Sequence, residues 1–238
     1  MKHSIVIAST ISLTLFMSCF SGEKVVKTVV KEIFDISKDI VLTGTPDGKI
    51  ASVYWKDKTL MAQGPVSGGK KNGLWKVYAK GSNGKTVMAE VNFKDDLVDG
   101  ETKEFYPSGR LQCVTHRKNG VLEGSRMTYY ENGIGMVEEY YKNGKKNGKS
   151  FEYYPNGMTK ENAYFKDGIR DGISNTFYKN GKRQAMGRYA MGKKNGLWEY
   201  YNEETGMPES RGNYADDEKT GTWTIFDAAG RKADEKKY

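Results

Sequence analysis

Few side chains in this sequence could carry out chemistry, and they lie far apart. The 238 residues include two histidines, His3 and His116, and two cysteines, Cys19 and Cys113. General acid-base catalysis and histidine-rich metal sites each require several such groups at one place. No glycine-rich loop is followed by the Lys-Ser or Lys-Thr pair that phosphate-binding loops carry. We therefore expect no catalytic residues, no metal and no cofactor, and we interpret the protein as non-enzymatic.

Cys19 is the residue with the clearest chemical context. Lys2 and His3 precede an uncharged apolar run from Ile5 to Met17, which is typical of a secretory signal peptide. The run is shorter than the roughly 20 residues that a membrane-spanning helix needs. The sequence LFMSC, ending at Cys19, resembles a bacterial lipobox, although a phenylalanine stands at the usual leucine position. This resemblance implies lipid attachment at Cys19 and an exported protein anchored in the cell envelope, with ordinary signal cleavage as the alternative.

Basic residues give the second candidate site. Lysine and arginine number 38 against 30 aspartates and glutamates, a net charge of +8. Seven of these basic residues recur between glycine-marked segments: Lys70, Lys71, Lys145, Lys146, Arg170, Lys193 and Lys194. Aligned along one edge, they could contact anionic phospholipid headgroups or an acidic partner. The alternative is that they keep exposed strand ends soluble. Export and the absence of an RNA-binding motif argue against nucleic acid as a partner.

A repeat is the framework that must position these residues. Glycines at equivalent places recur at a nearly constant step along the chain. They are Gly73, Gly100, Gly124, Gly148, Gly172, Gly196 and Gly221. A fixed period of about 24 residues indicates a stacked repeat architecture. Asn-Gly or Asp-Gly pairs precede many of the glycines in each unit, and these pairs suit type I′ turns. Each unit is therefore predicted to be one β-hairpin.

Aromatic residues recur with the same period. Tyrosine pairs such as Tyr129-Tyr130 and Tyr153-Tyr154 place one ring on each face of a strand. A further column on the returning strands comprises Phe93, Tyr141, Phe165, Tyr189 and Tyr214, and Arg117 interrupts it. The mean hydropathy of −0.72 argues against a thick core. We predict an all-β fold, an elongated single-layer antiparallel sheet of consecutive hairpins that twists and curves into a trough.

The repeat units resemble a known family. Segments such as GLWEYYNEETG and GKSFEYYPNG are similar to the MORN (membrane occupation and recognition nexus) repeat, over residues 44–230 and most nearly in its bacterial antitoxin-like variant. The chain departs from the eukaryotic form in its Lys-Asn-Gly turns and carries no appended catalytic domain. The resemblance implies a scaffold for protein-protein or phospholipid-headgroup recognition. Two alternatives are a toxin-neutralising partner and a surface adhesin or host-interaction module.

Three segments are expected along the chain. Residues 1–18 form the signal peptide, residues 19–42 a lipidated tether and entry segment, and residues 43–238 the repeat domain. The entry segment combines a helical spacing of apolar residues with β-branched residues that favour a strand. A degenerate first unit has Asp47-Gly48 as its turn and Val53–Trp55 as a strand.

Overall fold

The fold is known from a computed structural model that describes residues 49–55 and 57–238, and the backbone of residues 40–43. The predicted signal peptide, Cys19 and the predicted turn at Asp47-Gly48 lie outside the described residues. Contacts divide the chain into two compact units, residues 1–124 and residues 125–238. We describe each unit by itself.

The described part of each unit consists of β-strands and their connections. In the first unit these are β1 (Ile40–Thr43), β2 (Ile50–Tyr54), β3 (Leu60–Ser67), β4 (Lys70–Lys71), β5 (Gly73–Tyr78), β6 (Val87–Lys94), β7 (Leu97–Phe105) and β8 (Leu111–Lys118). The strand β9 (Val121–Tyr129) contains the boundary between the units. The second unit continues with β10 (Gly135–Lys142), β11 (Lys145–Tyr153), β12 (Thr159–Lys166), β13 (Ile169–Phe177), β14 (Arg183–Ala190), β15 (Lys193–Tyr201), β16 (Pro208–Ala215), β17 (Glu218–Phe226) and β18 (Lys232–Lys237).

Strands pair antiparallel with their neighbours in sequence. In the second unit β11 pairs with β12, for example with Lys149 opposite Tyr164, and the pattern continues to β17 and β18. The predicted all-β fold of consecutive hairpins is confirmed. Residues 40–43, at the junction of the predicted entry segment and repeat domain, form a strand, and this β1 pairs with β2. The predicted strand at Val53–Trp55 corresponds to β2, which ends at Tyr54. The curvature into a trough stays a prediction.

Tight turns connect the returning strand of one unit to the first strand of the next. Asn143 and Gly144 have φ angles of 50° and 76° between β10 and β11. Positive φ at both central residues defines the type I′ turn that matches the twist of a hairpin. The same pattern holds at Asn119-Gly120, Asp167-Gly168 and Met191-Gly192. The type I′ prediction is confirmed at the Asn-Gly and Asp-Gly pairs among these positions, and Met191-Gly192 forms the same turn without such a pair.

The glycines that open the units have another role, and the prediction that they form turns is wrong. Gly148 lies inside β11 with a φ of 101°. Between Glu139 and Tyr141 on β10, the partner on β11 shifts from Ser150 to Lys146. Such a shift is a β-bulge, which also requires an unusual backbone angle. An Asn-Gly pair is compatible with a type I′ turn and with a β-bulge, so the residue types alone did not distinguish the two.

Polar side chains connect each repeat to the next. In three repeats, the second residue of the aromatic pair is a tyrosine whose hydroxyl donates a hydrogen bond to a main-chain carbonyl of the following repeat. These bonds are Tyr130 to Tyr153 (2.7 Å), Tyr154 to Phe177 (2.8 Å) and Tyr178 to Tyr201 (2.9 Å). The Asn156 side-chain amide donates in the same way to the Lys179 carbonyl, at 3.1 Å. Main-chain carbonyls at this edge are thereby satisfied by the preceding repeat.

The buried residues differ between the two units. In the first unit, Val53, Trp75, Val91 and Phe93 belong to one apolar cluster. In the second unit, Trp198 and Trp223 are buried to 3% and 1% exposure. Ser150 and Ser174 occupy the same place as these tryptophans in two other repeats, counted from the opening glycine. Repeats with a tryptophan at this place therefore bury a large ring there, whereas the other two bury a serine side chain.

Candidate functional site

Basic and aromatic residues alternate on one face of the second unit. Four returning-strand aromatic residues lie directly opposite a basic residue of the next strand. The pairs are Tyr141 with Lys146, Phe165 with Arg170, Tyr189 with Lys194 and Tyr214 with Lys219. Directly opposite residues project to the same side of a sheet. We call the surface formed by these eight residues the basic-aromatic face. It also includes Trp198 and Trp223, and Ser150 and Ser174 at the same place in their repeats.

The cations on this face lie over aromatic rings. The Lys146 ammonium is 3.8 Å from the centre of the Phe165 ring. The Arg170 guanidinium lies 5.5 Å from Phe165 and 5.4 Å from Tyr189, so it bridges two successive returning strands. Each such contact stabilises the structure by about 0.5–2 kcal/mol, depending on burial. The ladder therefore contributes to repeat packing as well as to surface charge.

Lys194 has the largest set of ring contacts on the face. Its ammonium lies 4.6 Å from the Trp198 ring and 5.0 Å from the Tyr214 ring. It also donates a hydrogen bond to the Tyr200 hydroxyl, at 2.9 Å. Burial is the main cause that raises the pKa of Tyr200. The hydroxyl therefore stays protonated beside the lysine at neutral pH.

The structure divides the seven predicted basic residues into two sets. Lys70, Lys145 and Lys193 begin their strands and are exposed. The other four are Lys71, Lys146, Arg170 and Lys194, and their side chains lie over rings. Burial lowers the pKa of Lys71, which is 6% exposed. Adjacent lysines such as Lys145 and Lys146 project to opposite faces, because side-chain direction alternates along a strand.

Lys219 belongs to the basic-aromatic face and was missed from sequence. Its ammonium lies 4.1 Å from the Trp223 ring and 5.0 Å from the Tyr238 ring. The step from Lys194 to Lys219 is the same as the step from Trp198 to Trp223. This shared spacing is the signal that could have identified it.

Glu139 accepts hydrogen bonds from two basic side chains and a tyrosine. Its carboxylate oxygens lie 2.7 Å from Lys146 Nζ, 2.5 Å from Arg126 Nη1 and 3.0 Å from the Tyr141 hydroxyl. Burial by itself would raise the pKa of Glu139. The hydrogen bond and charge of Lys146, followed by those of Arg126, outweigh it and hold the pKa below its usual range. Glu139 is therefore charged while 8% exposed.

Glu161 neutralises Arg170 as Glu139 neutralises Lys146. The two side chains form a bidentate pair, with Nη2 at 2.7 Å from Oε2 and a second contact between Nη1 and Oε1. The Ser174 hydroxyl lies 3.3 Å from the same carboxylate. The hydrogen bond that Arg170 donates to Glu161 is the main cause that raises the pKa of Arg170. Both Lys146 and Arg170 are thus neutralised within the sheet.

An open groove of about 290 Å³ lies beside Lys194. Ser174 and Thr176 of β13 and Ala185 of β14 supply small side chains to its lining. The larger lining residues are Tyr178, Gln184, Tyr189, Lys194, Trp198, Tyr200, Tyr201 and Glu209. A lining of aromatic rings with a few polar groups is typical of small-molecule sites.

The opposite face of the second unit carries exposed apolar residues. Tyr164 immediately precedes Phe165, and Leu197 immediately precedes Trp198. Neighbouring residues of a strand point to opposite sides of the sheet, so Tyr164 and Leu197 project away from the basic-aromatic face. Tyr140, Tyr164, Ile173 and Leu197 are 40%, 41%, 56% and 54% exposed. We call these four residues the apolar stripe. Tyr140 and Tyr164 hold the same place in successive repeats, and so do Ile173 and Leu197, so the stripe follows the repeat.

Other residues marked by the sequence have structural surroundings. The His116 side chain is 42% exposed, and its Nε2 lies 3.9 Å from Glu101 Oε2. Arg117, which interrupts the aromatic column, is 5% exposed and donates to the Gly120 carbonyl at 3.2 Å. Cys113 is fully buried and disulfide-bonded. In the part of the chain that the structure describes, no acidic, histidine or cysteine cluster could hold a metal ion. No helix there has the length and apolarity to span a membrane.

Comparison with known proteins identifies the repeat itself. No curated protein matches the sequence. A family model matches three consecutive segments, each of which covers two strands in the structure, β7 with β8, β9 with β10 and β11 with β12. The repeats of this family are non-catalytic and generally serve as protein or lipid interaction modules. Residues 98–119, 122–143 and 146–167 of this chain match the MORN repeat variant.

Proposed function

We propose that this chain is a non-enzymatic lipoprotein of the cell envelope whose repeat sheet recognises a protein partner. The observation that carries the proposal is the apolar stripe, Tyr140, Tyr164, Ile173 and Leu197. Large apolar side chains that stay exposed on one face of a sheet are candidates for an interaction surface. Its recurrence at the repeat period suits an extended partner that contacts successive repeats.

Basic residues alternate with the residues of the apolar stripe on the same face. Lys149 lies opposite Tyr164, and Arg188 lies opposite Ile173. Protein interfaces combine apolar and polar contacts, and arginine is enriched in them. The stripe and the cations between its residues therefore suit a partner with apolar and acidic side chains.

The test is site-specific photo-crosslinking in intact cells that make the protein. A benzophenone amino acid replaces Ile173 or Leu197 in two variants, and the exposed Glu203 in a control variant. We expect both stripe variants to crosslink one dominant protein that the Glu203 variant does not capture. The same pattern of products from all three variants would overturn the proposal.

The identity of that partner distinguishes narrower roles. A toxin-neutralising protein would capture the product of a neighbouring toxin-like gene. An adhesin or host-interaction module would lose its repeat domain when intact cells are treated with protease. An envelope protein as the dominant product, with a protease-resistant repeat domain, favours an internal scaffold.

A second candidate is contact with anionic phospholipid headgroups. It rests on the exposed lysines that begin strands in the second unit, Lys145 and Lys193. Each lysine near an anionic surface contributes about 1 kcal/mol, so replacing both with glutamine should weaken binding about 30-fold. The measurement is sedimentation with phosphatidylglycerol vesicles. Matched controls are Lys179 and Lys182 replaced by glutamine at the opposite strand ends. Equal binding by both double variants would exclude this contact.

The lipid anchor is a proposal that rests on the sequence around Cys19. Cys113 is disulfide-bonded in the structure, and Cys19 lies outside the described residues. The chain contains these two cysteines, so an intrachain disulfide would use the sulfur that the proposal assigns to a lipid. The two states are mutually exclusive at Cys19. Labelling with fatty acid distinguishes them.

A further inference from the structure

We propose that the groove beside Lys194 binds a small organic carboxylate that carries a planar ring. This site lies on the basic-aromatic face, on the other side of the second unit from the apolar stripe. It is therefore independent of the proposed protein partner and of the anchor at Cys19.

The first argument compares successive repeats. Lys146 pairs with Glu139, and Arg170 pairs with Glu161, in each case on the preceding strand. Glu139 precedes Lys146 by seven residues, and Glu161 precedes Arg170 by nine. The residues seven and nine positions before Lys194 are Gly187 and Ala185. Neither has a carboxylate.

Lys194 consequently lacks the neutralising carboxylate that Lys146 and Arg170 each have. Among the described residues, its polar side-chain contact is the Tyr200 hydroxyl, and no ion pair joins it to a carboxylate. A half-buried ammonium is stabilised by an anion that can reach it. A ligand carboxylate would supply to Lys194 what Glu161 supplies to Arg170.

The second argument is the space that the missing side chains leave. Ala185, which replaces the glutamate of the preceding repeat, lines the groove with Lys194. The volume of about 290 Å³ exceeds the space that one carboxylate needs and leaves room for a ring. Tyr189 and Tyr200 contribute aromatic surface, which favours a planar ring in an offset or edge-to-face arrangement.

One acidic residue contributes to the lining. Glu209 accepts a hydrogen bond from the Asn202 side chain, with 2.8 Å between Nδ2 and Oε1. The groove thus has an acidic residue that is held by its neighbour and a lysine without a carboxylate. The test must show that the negative charge of the ligand, rather than its ring, decides binding.

Benzoate is the probe, and benzamide is its neutral counterpart of similar shape. Binding to the full chain is followed by the shift of the Trp198 indole N–H signal, assigned with a Trp198→Phe variant. Benzoate should bind saturably, and benzamide at least about 10-fold more weakly, because a hydrogen bond to a charged group contributes about 1.5–3 kcal/mol.

Three variants make the test specific. Lys194→Gln should weaken benzoate binding about 10-fold or more, on the same estimate for one charged hydrogen bond. Ala185→Glu should abolish it, because an internal carboxylate then occupies the groove as Glu161 does beside Arg170. Lys219→Gln is the matched control, since Lys219 lies over Trp223 as Lys194 lies over Trp198, and it should bind benzoate like the wild type.

The proposal fails under any of three results. One is the absence of a saturable benzoate shift at concentrations up to tens of millimolar. Another is equal affinity for benzoate and benzamide. The third is wild-type benzoate affinity in Lys194→Gln, with its unfolding midpoint unchanged. None of these results bears on the crosslinking test of the apolar stripe.

Discussion

The ring of Trp198 occupies the space above Gly187, where a Cβ atom would lie 2.2 Å from the indole. The Trp198 Nε1 donates to the carbonyl of Arg188, the next residue, at 3.2 Å. Two other tryptophans repeat this relationship with the glycine at the equivalent earlier position, Trp75 over Gly64 and Trp223 over Gly212. The absence of a side chain at these glycines is therefore a packing requirement of the tryptophan-bearing repeats.

Gly187→Ala should destabilise the protein through this contact. The added methyl group overlaps the Trp198 ring, and overpacking of a filled site costs about 1–3 kcal/mol. In the preceding repeat, Ala163 and Ser174 stand at the places of Gly187 and Trp198, so an alanine is tolerated where the ring is absent. Chemical denaturation measures the change in the free energy of unfolding.

The control is the same substitution in a Trp198→Ser background. There Gly187→Ala should have little effect, because the pair then matches Ala163 and Ser174. An equal loss in both backgrounds would show that the ring is not the cause, and that alanine disturbs the strand itself.

Tyr154→Phe should weaken the connection between repeats. It removes the 2.8 Å hydrogen bond from the Tyr154 hydroxyl to the Phe177 carbonyl. The expected loss is about 1 kcal/mol of unfolding free energy. Tyr164→Phe is the control, because the Tyr164 side chain is 41% exposed and its hydroxyl has no hydrogen bond to a described residue. Equal stability of the two variants would contradict the stabilising role of the Tyr154 hydroxyl.

Glu139→Gln should make stability less dependent on pH. The pKa of Glu139 lies below its usual 4.5 because Lys146 and Arg126 outweigh the effect of burial. Its contribution is therefore fully present above about pH 4.5, the unfolded value, and is lost as the pH falls through the lower folded value. At neutral pH the variant should be less stable by about 3 kcal/mol, since both cations lose their carboxylate.

The measurement is the unfolding free energy of wild type and variant from pH 7 to pH 3. The difference between them should shrink as the solution becomes more acidic. Glu203→Gln, at an exposed position, serves as the control and should follow the wild type. A constant difference across this range would mean that the charge of Glu139 is not what stabilises the cluster.

Cys19→Ala should remove fatty-acid labelling and shift the protein from the membrane fraction to the soluble fraction. Cys113→Ala leaves the predicted attachment site intact and should keep both. Persistent labelling of Cys19→Ala would exclude this anchor. A peptide that joins Cys19 to Cys113 by a disulfide in the mature envelope protein would exclude it as well.

Local rules account for the part of the fold that was predicted from sequence. The regular repeat period and the Asn-Gly or Asp-Gly pairs predicted hairpins, because positive φ at two neighbouring residues is a local requirement. The aromatic columns were predicted on both faces for the same reason, since side-chain direction alternates along any strand. The opening glycines were misassigned to turns, because a bulge such as that at Gly148 needs the same backbone conformation.

The sequence by itself determined the repeat, its strands and the positions of its rings and cations. The tertiary structure decided which of two adjacent lysines, such as Lys145 and Lys146, covers an aromatic ring. It also decided which cations have a carboxylate. Those relationships depend on cross-strand register, which shifts at the bulge between Glu139 and Tyr141 and at equivalent bulges in later strand pairs. The groove beside Lys194 follows from the same cause, because its lining residues come from different strands that only the paired sheet brings together.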